Sequence, residues 1–155
     1  MRILVVSDTH RDRWALHRAL VAQPKARTVI HLGDGEEEAR EVQASFPEKT
    51  FYMVRGNCDW GSKLPARLIE KIGGVTFYMT HGYAEHVKYG MDEVEQAARE
   101  NGAQVLLFGH THEALTAYDS GLYILNPGSL HGSTGTYGYV DITGAGIVTN
   151  IVHLH

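Results

Sequence analysis

The stretch Thr28–Gly35, TVIHLGDG, places an apolar run directly before a glycine and a lone carboxylate, Asp34. Its length and its flanking glycine predict a short buried strand that stops at Gly33, with Asp34 just past the C-terminal end. The arrangement recurs. Ile3–Val6 runs into Ser7-Asp8-Thr9-His10, and Phe51–Val54 into Arg55-Gly56-Asn57-Cys58-Asp59. Val75–Met79 runs into Thr80-His81-Gly82, and Val105–Phe108 into Gly109-His110-Thr111-His112. In open α/β sheets, ligands bind outside the carboxyl ends of the strands. Such ends can therefore bring Asp8, His10, Asp34, Asn57, His81, His110 and His112 to one place, enough ligands for two metal ions.

Working outward, the chain before Asn57 reads β-α-β-α-β, the signature of parallel strands joined by helices. Asp12 is placed to cap a helix running to about Gln23, ended by Pro24, with Trp14, Leu16, Ala19 and Leu20 partly inward. Glu36-Glu37-Glu38 starts a second helix and reads as a solvated first turn that suits the positive end of the helix dipole. Later, Leu68–Ile72 and Val75–Met79 flank Gly73-Gly74 as a hairpin, and Met91–Glu100 is a third helix with Asn101-Gly102 as its cap. The remainder reads as strand: Ala114–Tyr118, Leu122–Leu125, Gly138–Ile142 and Ile147–Leu154. Helices early and a β-meander late predict two packed sheets with helices outside.

A length of 155 residues suggests one domain, residues 1–155. With 43% hydrophobic and 21% charged residues, the composition is that of an ordinary globular protein. Net charge is -4, without the basic excess that a long nucleic acid requires. The single cysteine, Cys58, excludes an internal disulfide. No signal peptide or membrane-length apolar run is visible, so a cytoplasmic location is expected.

The ligand types suit borderline divalent ions: manganese is the expected metal, with zinc, iron or nickel as alternatives. Two adjacent ions need a shared carboxylate, and Asp34 stands alone between the Asp8/His10 pair and the Asn57/His81/His110 group. Ions roughly 3.5–4 Å apart can hold a hydroxide and clamp both oxygens of an in-line displacement. That chemistry fits phosphate esters.

In order, Ser7-Asp8-Thr9-His10, Gly33-Asp34, Gly56-Asn57, Thr80-His81-Gly82 and Gly109-His110-Thr111-His112 match the motif set of the calcineurin-like metallophosphoesterases. The chain resembles the family's small single-domain branch of bacterial and archaeal phosphodiesterases, which also carries the Asn126-Pro127-Gly128-Ser129 turn. The resemblance covers nearly the whole chain. It implies a four-layer α/β/β/α sandwich of two mixed sheets, with the site where the sheets meet at their strand ends. It also implies that Asp8, His10, Asp34 and His112 hold a first ion, and Asp34, Asn57, His81 and His110 a second. A bridging hydroxide is then the nucleophile, and Asn57 can also orient the phosphate.

Larger members of that family carry a proton-donating histidine after the motif asparagine. Here the residue is Cys58, as in the small branch, and its first reading is a buried small hydrophobe. With a reference pKa of about 8.5, a thiol could donate in principle. Arg11 is a candidate substrate contact, otherwise part of a solvated helix start. Asp59 either braces the Asn57 loop or is simply exposed. His31 reads as a satisfied core histidine. His17, His86, His131, His153 and His155 match no motif and read as structural or solvated. Gly33, Gly56, Gly82 and Gly109 read as turn residues beside the ions. Tyr83 and Tyr89 are unspecific pocket candidates.

The expected activity is hydrolysis of a small phosphate ester, most directly a phosphodiester. Rival readings are a monoesterase, a nucleotide-directed nuclease, and a scaffold, since a retromer coat subunit has this fold. The scaffold reading expects ligand loss, and all seven ligand positions are filled by competent residues. Neither the substrate nor the oligomeric state follows from the sequence.

Overall fold

Strand β1 (Arg2–Val6) sends Ile3 and Val5 to one face and Leu4 and Val6 to the other, and all four are fully buried. A strand apolar on both faces must be covered on both faces, and this one lies at the centre of a five-stranded sheet. The sheet order is β10-β9-β1-β2-β3, where β2 is Ala26–His31, β3 Thr50–Met53, β9 Thr136–Thr143 and β10 Gly146–His153. β1, β2 and β3 run parallel, while β9 is antiparallel to both its neighbours. The computed structural model describes residues 1–154; His155 and its expected role lie outside the described residues.

A second mixed sheet has the order β4-β5-β6-β8-β7, formed by Arg67–Ile72, Val75–Thr80, Val105–Leu107, Leu122–Asn126 and Leu115–Asp119 respectively. Here β5, β6 and β8 are parallel and the edge strands antiparallel. The expected hairpin around Gly73-Gly74 is β4–β5.

The inner faces pack together: Ile3, Val5, Ile30 and Leu32 meet Phe77, Met79, Val105 and Leu107. On the outer face of the first sheet, Leu4, Val6 and Val29 are covered by Ala15, Leu16, Ala19 and Leu20 of α1 (Arg13–Ala22) and Ala39 and Val42 of α2 (Glu36–Ala44). On the outer face of the second, Tyr78, Leu106 and Ile124 are covered by Val94 and Ala98 of α3 (Asp92–Glu100). The result is the four-layer α/β/β/α sandwich. Each fully buried leucine or isoleucine contributes about 1.5–3 kcal/mol by transfer from water. Asp12 caps α1, its carboxylate accepting from Ala15 N at 3.0 Å. Trp14 differs from its expected partly inward place. It is 67% exposed, because the stripe facing the sheet is taken by Ala15, Leu16, Ala19 and Leu20. No described helix is long and apolar enough to cross a membrane.

Candidate functional site

Because β1, β2 and β3 are parallel, their C-terminal ends share one edge of the first sheet, and β5 and β6 do the same in the second. The loops at those ends carry every expected ligand. Their backbones are unusual. Among the described residues, the non-glycine positions with φ in the left-handed region include Asp8 (53°), His10 (43°), Asp34 (60°), His110 (70°) and His112 (62°). Asp and His tolerate this region better than most residues, and such conformations concentrate where function fixes a side chain. Close approach is needed too. A methyl group on Gly56 would collide with the Asp34 carboxylate, and one on Gly109 with Ser7 Oγ and Asp8 Oδ2. Those two glycines are thus required by space rather than by φ, whereas Gly33 and Gly82 sit at φ 106° and 101°.

Two groups of three can each converge on a point: Asp8, His10 and His112, and Asp34, His81 and His110. In the first, His112 Nε2 lies 3.2 Å from Asp8 Oδ1 and 3.3 Å from His10 Nε2. In the second, His81 Nε2 lies 3.3 Å from Asp34 Oδ2 and 3.2 Å from His110 Nδ1, with Asn57 Oδ1 at 3.0 Å. Asp34 Oδ2 is also 3.9 Å from His10 Nε2, so one carboxylate oxygen faces both groups. His81 Nδ1 lies 2.7 Å from Leu32 O and must be the donor there. Its Nε2 then faces the oxygens of Asp34 and Asn57, an arrangement that positive charge at that point, a ring proton or a bound cation, reconciles. The donor set, mixed imidazole and oxygen, fits a divalent ion.

Electrostatics agree. Burial opposes the Asp34 carboxylate, but His81 and the Cys58 N–H outweigh it and hold its pKa at about 2. Burial pushes the His81 imidazolium down, yet the Asp34 and Asp8 carboxylates prevail and its pKa is raised. His110, lowered by burial and by neighbouring His81 and Lys88, is neutral and free to ligate.

Outer contacts fix the loops. Asp59 accepts from Asp34 N (2.9 Å), Gly35 N (3.0 Å), Glu36 N (3.2 Å) and Gly56 N (2.8 Å). It therefore caps α2, whose own cap residue Gly35 has no side chain, and braces the Asn57 loop. Asn126 donates to Gly109 O and Thr111 Oγ1 and accepts from Gly128 N, tying the Asn126–Ser129 turn under the His110–His112 loop. Ser129 Oγ donates to Asp8 O at 2.7 Å.

The structure corrects two expectations. Glu38 is not part of a solvated turn; it is 4% exposed. Gly33 N–H donates to His31 Nδ1 (3.1 Å), so the imidazole proton sits on Nε2 and donates to Thr9 Oγ1 (3.0 Å). Thr9 in turn donates to Glu38 Oε2 (2.6 Å), which also accepts from Arg11 N (2.6 Å). Burial lowers the His31 pKa and keeps the ring neutral, as expected of a satisfied core histidine. Glu38 thereby clamps the turn between the candidate ligands Asp8 and His10. Its position, third in the helix, is the one from which a glutamate reaches back past the helix start; that was the available signal. The second correction is Cys58, which is exposed rather than buried. The tight approach of the Asn57 loop to Asp34 spends the Cys58 N–H on Asp34 Oδ1 (2.8 Å) and leaves the thiol outside. Burial, then Asp34, raises the thiol pKa, so it stays protonated at neutral pH.

Arg11 is exposed and lines, with His10, Asp34 and Cys58, a cleft of about 770 Å³ for which no local pattern of residues is a signal. Tyr83 stands edge-on to His110 with ring centroids 5.5 Å apart, while Tyr89 is fully in solvent.

Residues 1–145 match the model of the calcineurin-like phosphoesterase superfamily domain. The probable metallophosphoesterase YsnB of Bacillus subtilis is 31% identical over 131 residues, covering 84% of this chain and 75% of YsnB. A conserved uncharacterised protein of Streptococcus pneumoniae, described as a predicted phosphoesterase, superposes with TM-score 0.84 at 24% identity, over 98% of this chain and 88% of its own. A structure described as a novel archaeal phosphodiesterase superposes with TM-score 0.73 at 21% identity, over 98% of this chain and 100% of its own. Vps29 proteins share the fold as well.

Proposed function

Because the chain belongs to the calcineurin-like phosphoesterase superfamily, we propose that it is a divalent-metal-dependent phosphodiesterase with a two-ion centre. The observation that carries the reading is Asp34 Oδ2, which faces His10 Nε2 at 3.9 Å and His81 Nε2 at 3.3 Å. Asp8, His10, Asp34 and His112 would hold one ion, and Asp34, Asn57, His81 and His110 the other. When bound, such a pair supplies a hydroxide nucleophile at neutral pH and positive charge for the attacked phosphoryl group.

The chain's own groups do the rest. Asp34 stays ionised, fixed by the Cys58 N–H. Asn57 turns Oδ1 toward His81 and one amide N–H toward Cys58 Sγ (3.7 Å), and the other N–H can orient a phosphoryl oxygen. Arg11 presents a cation beside His10. The new P–O bond forms as the ester P–O bond breaks, and the leaving oxygen departs with the bonding pair and gains a proton. The protonated Cys58 thiol borders that cleft. A cleft of about 770 Å³ beyond the ligands has room for a second ester arm, which favours a diester over a monoester.

The test is hydrolysis of bis(4-nitrophenyl) phosphate and of 4-nitrophenyl phosphate by protein reconstituted with manganese. Faster release from the diester, abolished by a chelator and restored by metal, is expected. Protein holding two ions per chain without turnover of either ester would leave the scaffold reading instead.

A further inference from the structure

Trp60 is 91% exposed, although tryptophan is ordinarily highly buried. It does not stand on open surface: it lines the same cleft as ligands His10 and Asp34. Two cations line that cleft without a carboxylate partner among the described residues, Arg11 and Lys63. Arg40, by contrast, is paired with Glu36 at 2.8 Å. Glu36 and Glu37 also line it, which disfavours a long polyanion. An exposed indole offers a flat apolar face at low entropic cost to a planar partner, and bases stack on such faces whatever their sequence. Arg11, next to His10, is placed to meet a phosphate, and Lys63 can donate to acceptor groups on a base.

We infer that the cleft is a nucleoside subsite: the diester's nucleoside arm lies along it, its base stacked on Trp60, while its phosphate reaches the ligand cluster. This rests on the phosphoesterase reading for its site but makes a separate claim about substrate class. It makes Trp60 a specificity-determining residue for a nucleotide-sized diester.

The experiment measures binding rather than turnover, with manganese-loaded protein in a Trp14→Phe background. The chain has two tryptophans, and Trp14 does not line the cleft, so the remaining fluorescence reports Trp60 alone. The probes are adenosine 5′-monophosphate, ribose 5-phosphate and inorganic phosphate. Expected is quenching by the nucleotide only and, by isothermal titration calorimetry, which also serves the variants that lack tryptophan, an affinity above that of ribose 5-phosphate by roughly 5- to 150-fold, the range set by base–aromatic stacking. Trp60→Leu should erase that difference. An equal affinity for both sugars' phosphates, or a preference that survives Trp60→Leu, overturns the inference. If Trp60→Leu also loses inorganic phosphate, the loop has moved and Trp60→Phe decides: retained nucleotide preference supports stacking, and lost preference with phosphate binding intact overturns it. Turnover of bis(4-nitrophenyl) phosphate in the same preparation separates the two claims. Nucleotide preference without turnover sinks the enzyme reading alone, and turnover without preference sinks the subsite alone.

Discussion

The loops after β1, β2 and β3 bring three candidate oxygen ligands, Asp8, Asp34 and Asn57, with one imidazole, His10, whereas the candidate ligands on the loops after β5 and β6 are three imidazoles, His81, His110 and His112. Each ligand group draws on both sheets: His112 joins Asp8 and His10, and Asp34 joins His81 and His110. Neither sheet carries a competent site alone. The inter-sheet core of Ile3, Val5, Phe77 and Met79 therefore sets the spacing of the centre, and ions at the centre would tie the sheets together in return. Burial is unequal as well. His81 is 2% exposed at its side chain and Asp34 3%, while His112 is 50% exposed.

That asymmetry can be broken most severely at the bridge. Asp34→Asn removes a buried charge that faces both groups, as Asp8 Oδ1 does only at 3.9 Å from His81 Nε2, and the loss should exceed the roughly 10- to 100-fold typical of outer partners. Elemental analysis should find fewer than two ions per chain, and kcat/KM should fall by more than about 100-fold. Near-normal turnover with both ions bound would break the bridging assignment.

Next come the two imidazoles taken from unlike environments. His81→Ala empties a buried place hydrogen-bonded to Leu32 O, so it should remove the second ion and lower the Tm of metal-free protein by several degrees. His112→Ala, half in solvent, should weaken the first ion and leave the metal-free Tm nearly unchanged. Calorimetry of both variants without metal sharpens or erases the distinction.

A smaller effect is expected at Glu38, which acts on the first sheet's ligands only. Glu38→Gln removes the negative charge from the one oxygen that accepts from both Thr9 Oγ1 and Arg11 N. Affinity for the ion at Asp8 and His10 should fall on the order of 10-fold, with kcat at saturating metal less affected. Isothermal titration resolves the two sites; equal weakening of both would show a general loss of fold.

The smallest effect is at Cys58. Cys58→Ala should change hydrolysis of nitrophenyl diesters by less than about 3-fold, because nitrophenolate departs without help. General acids contribute about 10²–10⁴-fold, chiefly to poor leaving groups. Cys58→His should accordingly raise alkyl-diester hydrolysis more than nitrophenyl-diester hydrolysis. A leaving-group series on parent and both variants checks this, and a loss in Cys58→Ala confined to alkyl esters would make the thiol itself the donor.

The strand-end pattern in the sequence placed the expected ligands together, because a strand's apolar run and the residue after it are local facts. The same holds for the Asp12 cap, the Gly73-Gly74 hairpin and the α3 cap. What the sequence left open lies at longer range. Whether Asp59 braces or floats depends on the α2 start, 23 to 25 positions earlier, lacking a cap of its own. Glu38 is identical in type to Glu36 and Glu37, and only the packing of α2 against the Thr9–Arg11 turn separates a buried clamp from two surface carboxylates. Cys58 is apolar enough to be buried, but its backbone is committed to Asp34 and its thiol is left in the cleft. Trp60 carries no motif at all; its meaning comes from the walls around it. Sequence alone thus determined the candidate ligands, through local periodicity and chemistry. The tertiary structure alone decided their pairing across sheets, their outer support and the cleft beside them, because those depend on which loops the packed layers bring within hydrogen-bond reach.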